Sequence, residues 1–249
     1  MEPRRVALVT GSGKRRVGWH VADALAVRGY AITLHYHTSA AAAAETVAEF
    51  QGRGVEAIAV QADLGDEAAV KALVAKTLDR FGRIDVLVTA AGVWGRKRLE
   101  DVTAADVRAQ FEANTLGTFL CCQHAGLAMV KQPEGGNIVT ICDWAIERPY
   151  LDYAAYFPSK GAIPTLTRTF AVELGTRNPR VRVNCVLPGP VFLPLDLPAA
   201  EKAEAIAATL VKREGSPANV AQAVLAFLDN DFVTGACLPV DGGRTIYGG

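Results

Sequence analysis

Arg5-Val-Ala-Leu-Val-Thr10, followed directly by Gly11-Ser-Gly-Lys-Arg-Arg-Val-Gly18, decides the fold of this chain. The first run is short, apolar throughout and closed by a turn signal, the pattern of a strand buried on both faces. The second is a glycine-rich turn. A helical stretch follows from about Val17 to Arg28, with Gly29 as its C-cap. Strand, glycine turn and helix in this order are the setting in which a glycine loop holds a dinucleotide. Backbone N–H groups at the helix start then face a pyrophosphate.

Working outward, further strand-like runs occur at residues 31–36, 56–61, 84–89, 137–142, 182–187 and 236–241. Helices are predicted between them over residues 39–51, 66–81, 106–131, 153–175 and 217–228, with Asp66 as an N-cap and Pro217 near the first helical position. Residues 191–215 read as irregular or helical. The alternation predicts an α/β fold with right-handed crossovers: a Rossmann-type doubly wound parallel sheet of about seven strands, with helices on both faces. No linker or repeat divides the 249 residues, so one domain is expected over residues 1–249.

Lys plus Arg and Asp plus Glu both number 26, so nothing in the charge balance suggests a nucleic-acid partner or an anionic membrane. No apolar run approaches the roughly 18 residues of a membrane span. Met-Glu-Pro-Arg-Arg at the N-terminus has no signal-peptide layout, and a cytoplasmic location is expected. Cys121, Cys122, Cys142, Cys185 and Cys237 sit mostly in apolar runs without metal-ligand spacing and read as buried free thiols. His35 and His37 lack a third ligand at suitable spacing, so no metal is expected.

The chemistry concentrates in residues 143–160. Tyr156 and Lys160 are one helical turn apart on one face. An ammonium beside a phenol favours the phenolate, so the pair is expected to make a proton donor that works closer to neutrality. Asp143 ends an apolar run, at the carboxyl end of the strand, where open α/β sheets bind ligands. Two acidic groups at one site should raise each other's pKa. The cofactor is predicted to be NADPH. The second strand ends Leu34-His-Tyr-His-Thr-Ser39 with no acid for a ribose 2′-hydroxyl, while Lys14, Arg15 and Arg16 make the glycine loop cationic. Asp63 fits either an adenine contact or an ordinary turn aspartate.

Several motifs together carry a family resemblance: Thr10-Gly11 with Gly18, Asp63-Leu64, Ala91-Gly92, Asn114, Tyr156 with Lys160, Pro188-Gly189 and Asp241-Gly242-Gly243. The chain resembles the short-chain dehydrogenase/reductases over its whole length. Within them it is most similar to the pteridine reductases, because Asp143 stands where the family usually has Ser. His35 to Ser39, Gln61 to Leu64 and Arg16-Val17-Gly18 are also similar, and Trp94 stands where those enzymes place a stacking Phe.

The resemblance implies hydride transfer from NADPH to a pterin-like substrate such as a dihydropterin or folate. Tyr156 would be the proton donor, aided by Lys160 and Asp143, with Asn114 helping to hold Lys160. Cofactor contacts would come from Gly11, Arg16, Val17, His35, Tyr36, His37 and Ser39. Others would come from Asp63, Leu64, Ala90, Ala91, Gly92, Lys160, Pro188, Gly189 and Val191. Trp94, Asp143, Tyr153 and Tyr156 would hold the substrate, under a loop at about residues 188–216. A homotetramer built through the long helices is also implied. The chain departs from the family's pattern in four places: one extra residue between Gly11 and Gly18, Thr89-Ala90 before Ala91-Gly92, Thr38 where pteridine reductases carry Arg, and Pro190-Val191 after Pro188-Gly189. The alternatives are a general NADPH-dependent carbonyl or 3-oxoacyl reductase, and an NADPH-binding regulator without catalysis.

Overall fold

The computed structural model describes residues 4–193 and 197–247. Its centre is a parallel sheet of β1 (Val6–Thr10), β2 (Ala31–Tyr36), β3 (Ala57–Gln61), β4 (Val86–Thr89), β5 (Gly136–Ile141), β6 (Val181–Pro188) and β7 (Cys237–Val240). These seven strands run in the order β3-β2-β1-β4-β5-β6-β7. The order reverses between β1 and β4, which pair in register from Ala7–Val86 to Thr10–Thr89. This reversal opens a crevice at the carboxyl ends of the strands.

Alternate residues of each strand enter opposite cores, as the strand period of two requires. Val9, Val88, Val139 and Val186 meet Trp19, Leu25, Val224 and Phe227 on one face. Leu8, Leu87, Ile138 and Val183 meet Leu73, Cys122, Met129 and Leu174 on the other. The first face is covered by α1 (Val17–Val27) and α8 (Pro217–Asp229), the second by α3 (Glu67–Phe81), α5 (Gly117–Val130) and α6 (Tyr156–Gly175). The remaining helices are α2 (Ala40–Gly52), α4 (Ala104–Gln110) and α7 (Ala199–Ala207). Among the described residues, no helix is long and apolar enough to cross a membrane.

Local signals act as expected at several ends. Asp66 caps α3 by accepting from Ala68 N at 2.8 Å, and Pro217 opens α8. Gly29 takes φ +83° just after α1. Two expectations are corrected. The helix predicted over residues 106–131 is α4, a π-helical turn at Phe111–Leu116, and α5. The extra residue in that turn aims Asn114 at the β4 loop, a tertiary demand that apolar periodicity does not register. The helix predicted from Tyr153 starts at Tyr156, because Tyr156 N and Phe157 N both bond Tyr153 O in a turn that precedes it.

Gly135 joins α5 to β5 at φ +70°, and a Cβ there would lie 2.5 Å from the Arg180 backbone. Gly54 has a similar φ of +76° but faces open space. Gly54→Ala is expected to cost about 1 kcal/mol and Gly135→Ala about 3 kcal/mol or more in urea unfolding, because only the second adds overlap to backbone strain.

Candidate active site

The crevice is built from strand ends. Beyond β1, Gly11 sits at φ +64°, and a Cβ on it would meet the Ala91 backbone at 2.7 Å. A Cβ on Gly18 would lie 2.7 Å from Gly11 O, so α1 starts against the turn that precedes it. No side chain caps α1 at Arg16. Its first N–H groups are therefore open to an anion, and the glycine cradle fits a pyrophosphate.

His35 lies under this loop rather than in it. Its Nδ1 accepts from Gly11 N at 3.1 Å, and Nε2 pairs with Ala62 O at 3.0 Å. The imidazole is thereby held neutral, and burial also lowers its pKa. The expected contact of the His35 side chain with the cofactor is thus corrected: it supports the loop from the interior. The Val191 side chain belongs to the core, and its N–H bonds Gly189 O at 2.8 Å.

The loop cations do not gather at the end of β2. Arg15 pairs with Glu49 at 2.6 Å and covers Trp19, whereas Arg16 lies 5.3 Å from the Trp94 ring. Tyr36, His37 and Ser39 do border the loop. A Cβ on Gly13 would meet Tyr36 Cβ at 2.8 Å and Ser39 Oγ at 3.3 Å. His37 Nε2 is 4.0 Å from Asp63 Oδ2, and Asp63 Oδ1 accepts from Gly65 N at 2.9 Å, so the turn role of Asp63 is present. Leu64 is buried against Gly117.

At the end of β4, Ala91 N donates to Thr10 Oγ1 at 3.0 Å, fixing Ala90, Ala91 and Gly92 beside β1. Asn114 then ties the loop to two helices. Its Oδ1 accepts from Val93 N, and its Nδ2 lies within 3.0 Å of Val93 O, Gln110 Oε1 and Ser159 Oγ. A Cβ on Gly92 would meet Asn114 Oδ1 at 3.1 Å and Lys160 Nζ at 3.3 Å, a tight fit between the two side chains. Pro188 and Gly189 continue β6, where a Cβ on Gly189 would strike Asp241 at 2.6 Å.

Tyr156, Lys160 and Asp143 converge as expected, but their electrostatics differ. The Tyr156 hydroxyl donates to Asp143 Oδ2 at 2.8 Å, while Lys160 Nζ donates to Ile141 O at 3.0 Å. Burial first, and then the Asp143 charge and hydrogen bond, push the Tyr156 phenol well above its ordinary range. The expectation that Lys160 would depress it is corrected, because the carboxylate is its immediate partner. Asp143 is also raised, chiefly by burial. Hydrogen bonds from Ala145 N and Tyr156, and the charges of Lys160 and Arg244, pull the other way.

Pro164 lies inside α6 and has no N–H for the carbonyl of Lys160. The Cys142 thiol fills that gap, donating to Lys160 O at 3.3 Å. Trp94 is half exposed at the mouth of the crevice, and the Tyr153 ring lies 6.2 Å from that of Tyr156. Sequence reasoning missed Ser159, Gln110 and Arg244, and assigned no role to Trp144 or Tyr150. Trp144 stacks on Tyr150 at 6.4 Å, and Arg244 covers Trp144 at 4.5 Å. The one available signal was the position of Arg244 directly after the Asp241-Gly-Gly turn. Of the expected substrate loop at 188–216, residues 194–196 lie outside the described residues.

The family profile described as enoyl-(acyl carrier protein) reductase matches residues 12–245. A 3-oxoacyl-[acyl-carrier-protein] reductase of Synechocystis sp. is 37% identical over 98% of both chains. The (2S)-[(R)-hydroxy(phenyl)methyl]succinyl-CoA dehydrogenase subunit of Thauera aromatica is 35% identical over 98% of both chains. Among solved structures, a blue fluorescent protein from a metagenomic library, in complex with NADPH, superposes with a TM-score of 0.87. It is 33% identical and covers 96% of this chain and 97% of its own.

Two outcomes are expected from this geometry. Cys142→Ala leaves the Lys160 carbonyl buried without a donor and costs about 1–3 kcal/mol in urea unfolding, whereas Cys142→Ser keeps a donor and loses less. Asp143 has a raised pKa in the folded protein, so the stability its protonation contributes is full below about pH 4, the unfolded value, and is lost as pH rises through the folded value. Asp143→Asn is therefore expected to raise Tm at neutral pH relative to the parent, with the gap closing below about pH 4 in a thermal-melt series.

Proposed function

This chain belongs to the short-chain dehydrogenase/reductase family, and on that premise we propose that it is an NADPH-dependent carbonyl reductase acting on 3-oxoacyl-type or related ketones. The observation that carries this reading is the buried Tyr156 hydroxyl, one turn from buried Lys160 and 2.8 Å from Asp143 Oδ2, at the carboxyl edge of the sheet. The 3-oxoacyl reductase among the relatives supports the ketone class.

When bound, the nicotinamide cofactor supplies the hydride. The chain's residues do the rest. The open N-terminus of α1, with Gly11, Arg16, Val17 and Gly18, would hold the pyrophosphate. Tyr36, His37, Ser39, Asp63 and Leu64 would hold the adenosine end, and Ala90, Ala91, Gly92, Lys160, Pro188 and Gly189 would hold the nicotinamide end. Lys160 is kept in place by its hydrogen bond to Ile141 O. Tyr156 turns its O–H from Asp143 to the substrate oxygen and donates the proton. An ionised Asp143 would oppose negative charge growing on that oxygen, and burial favours its protonated form. A 2′-phosphate is favoured over a free 2′-hydroxyl because β2 ends without the acid that would bond the hydroxyl and repel the phosphate.

Asp143 also favours a second reading, a pterin-like substrate. An ionised carboxylate accepts from ring N–H groups, and half-exposed Trp94 together with Tyr153 offers aromatic surface for stacking. A homotetramer in the cytoplasm fits either reading; the apolar Phe111, Leu116 and Leu127 are exposed along the segment before and within α5.

Steady-state kcat/KM should be measured with NADPH and NADH against 3-oxoacyl thioesters, simple ketones and dihydropterins. NADPH with a 3-oxo substrate is expected to be the best pair, and Tyr156→Phe to lower it by about 10²–10⁴-fold. Asp143→Ser is expected to spare ketone reduction. Dominant dihydropterin turnover that collapses in Asp143→Ser would move the assignment to the second reading. A preference for NADH would overturn the cofactor assignment, and NADPH binding with no turnover would leave a cofactor-binding regulator.

A further inference from the structure

The turn after β7 is unusually well tied. Asp241 is buried, and its carboxylate accepts from Gly243 N at 2.9 Å and from Thr245 N and Thr245 Oγ1 at 2.6 Å each. Gly242 and Gly243 adopt φ of +65° and +81°, where only glycine avoids strain, and Cβ atoms there would strike Val211 and Leu210 at 2.7 Å. Leu210 N closes the contact by donating to Gly242 O at 2.8 Å. The residues after α7 therefore rest on a rigid seat, and that seat presents one long side chain, Arg244.

The Arg244 guanidinium reaches two places that lie far apart in the sequence. Its Nη1 donates to Ala205 O at 3.3 Å, in the last turn of α7, where a cation is favoured by the helix dipole. Its carbon lies 4.5 Å from the ring of Trp144, the residue next to Asp143. Desolvation strengthens such a cation–π contact, and burial is enough to lower the Arg244 pKa. Arg148, four residues beyond Trp144, returns the connection by donating through Nη1 to Arg244 O at 3.0 Å and to Tyr247 O.

We propose that Arg244 is a positioning residue of the active site: wedged between Trp144 and the end of α7, it fixes the substrate loop against the Asp143 segment and supplies part of the positive charge against which Asp143 works. The proposal rests on the reading of Asp143 and Tyr156 as the reacting end of the site, and holds for either substrate class.

The charged and titratable groups around Asp143 come from every neighbouring element. Tyr156 and Lys160 face it from α6, Tyr150 from the following loop, and Arg244 from the C-terminal turn. Lys160 is committed to Ile141 O, so Arg244 is the cation whose removal changes the field at Asp143 without disturbing α6. Tyr150 stacks on Trp144, and its phenol is pushed up to about 12 by burial and by Asp143.

The test is the titration of Asp143 itself. The side-chain 13C signal of aspartate-labelled protein is followed against pH in the parent, Arg244→Gln and Arg244→Lys, with Asp143→Asn giving the assignment. Arg244→Gln is expected to move the midpoint up. Arg244→Lys keeps the charge and is expected to titrate near the parent. Both variants are expected to raise KM, by about tenfold for Gln, with a smaller change in kcat, because the end of α7 is loosened rather than the chemistry removed. A parental midpoint in Arg244→Gln overturns the proposal. If that variant does not fold, a midpoint in Arg244→Lys displaced upward overturns it equally, since the charge is still present. The titration needs no substrate, so a wrong substrate class leaves this result standing and shows itself only in the kinetics.

Discussion

The loops of the site hang from the ends of neighbouring parallel strands, and α6 and the π turn that carry Tyr156, Lys160 and Asn114 pack on that sheet, so its hydrogen-bonded register is the constraint on which the rest depends. Thr10 pairs with Thr89 across β1 and β4, and Ile141 with Val186 across β5 and β6. Gly11, Ala90, Asp143 and Gly189 therefore emerge side by side, although they are spread over most of the chain. A slip of one residue in any pair would turn core residues outward and send these loops elsewhere. The two hydrophobic cores that forbid such a slip thus also hold the geometry of the crevice.

On that frame, buried polar groups fix what the sheet only brings near. Asn114 spends its amide on the β4 loop, Gln110 and Ser159. His35 spends both ring nitrogens on the glycine loop and on Ala62. The Cys142 thiol serves the carbonyl that Pro164 leaves open. Each would be costly to bury unpaired, and each pairing joins segments distant in sequence. The Tyr156–Asp143 bond belongs to the same class but carries a tension. Burial works against both ionised forms, so the pair is held at some cost to stability, as reactive groups often are.

The aromatic cluster adds a second layer. Tyr150 meets Tyr153 at 5.2 Å and Phe157 at 4.9 Å, and stacks on Trp144. Arg244 closes this cluster from the C-terminal turn. The Tyr156 end of the crevice is therefore walled by residues of one loop, one helix and the turn after β7. Trp94 stands apart, across the opening and beside Arg16.

The sequence by itself determined the alternation of strands and helices, the glycine turn, the Asp66 cap, and the grouping of Tyr156, Lys160 and Asp143. These rest on local patterns: apolar period, glycine placement and spacing along one helix. It also determined family membership, since the motifs keep their order. Only the tertiary structure decided that the Tyr156 hydroxyl donates to Asp143, because the direction of a side chain depends on what is buried around it. It likewise decided that His35 is a prop, that Arg16 crosses to Trp94, that the long helix opens into a π turn at Asn114, and that Arg244 reaches Trp144. Those outcomes come from contacts between segments that lie far apart along the chain, and no local pattern encodes which of several possible partners a polar side chain will find.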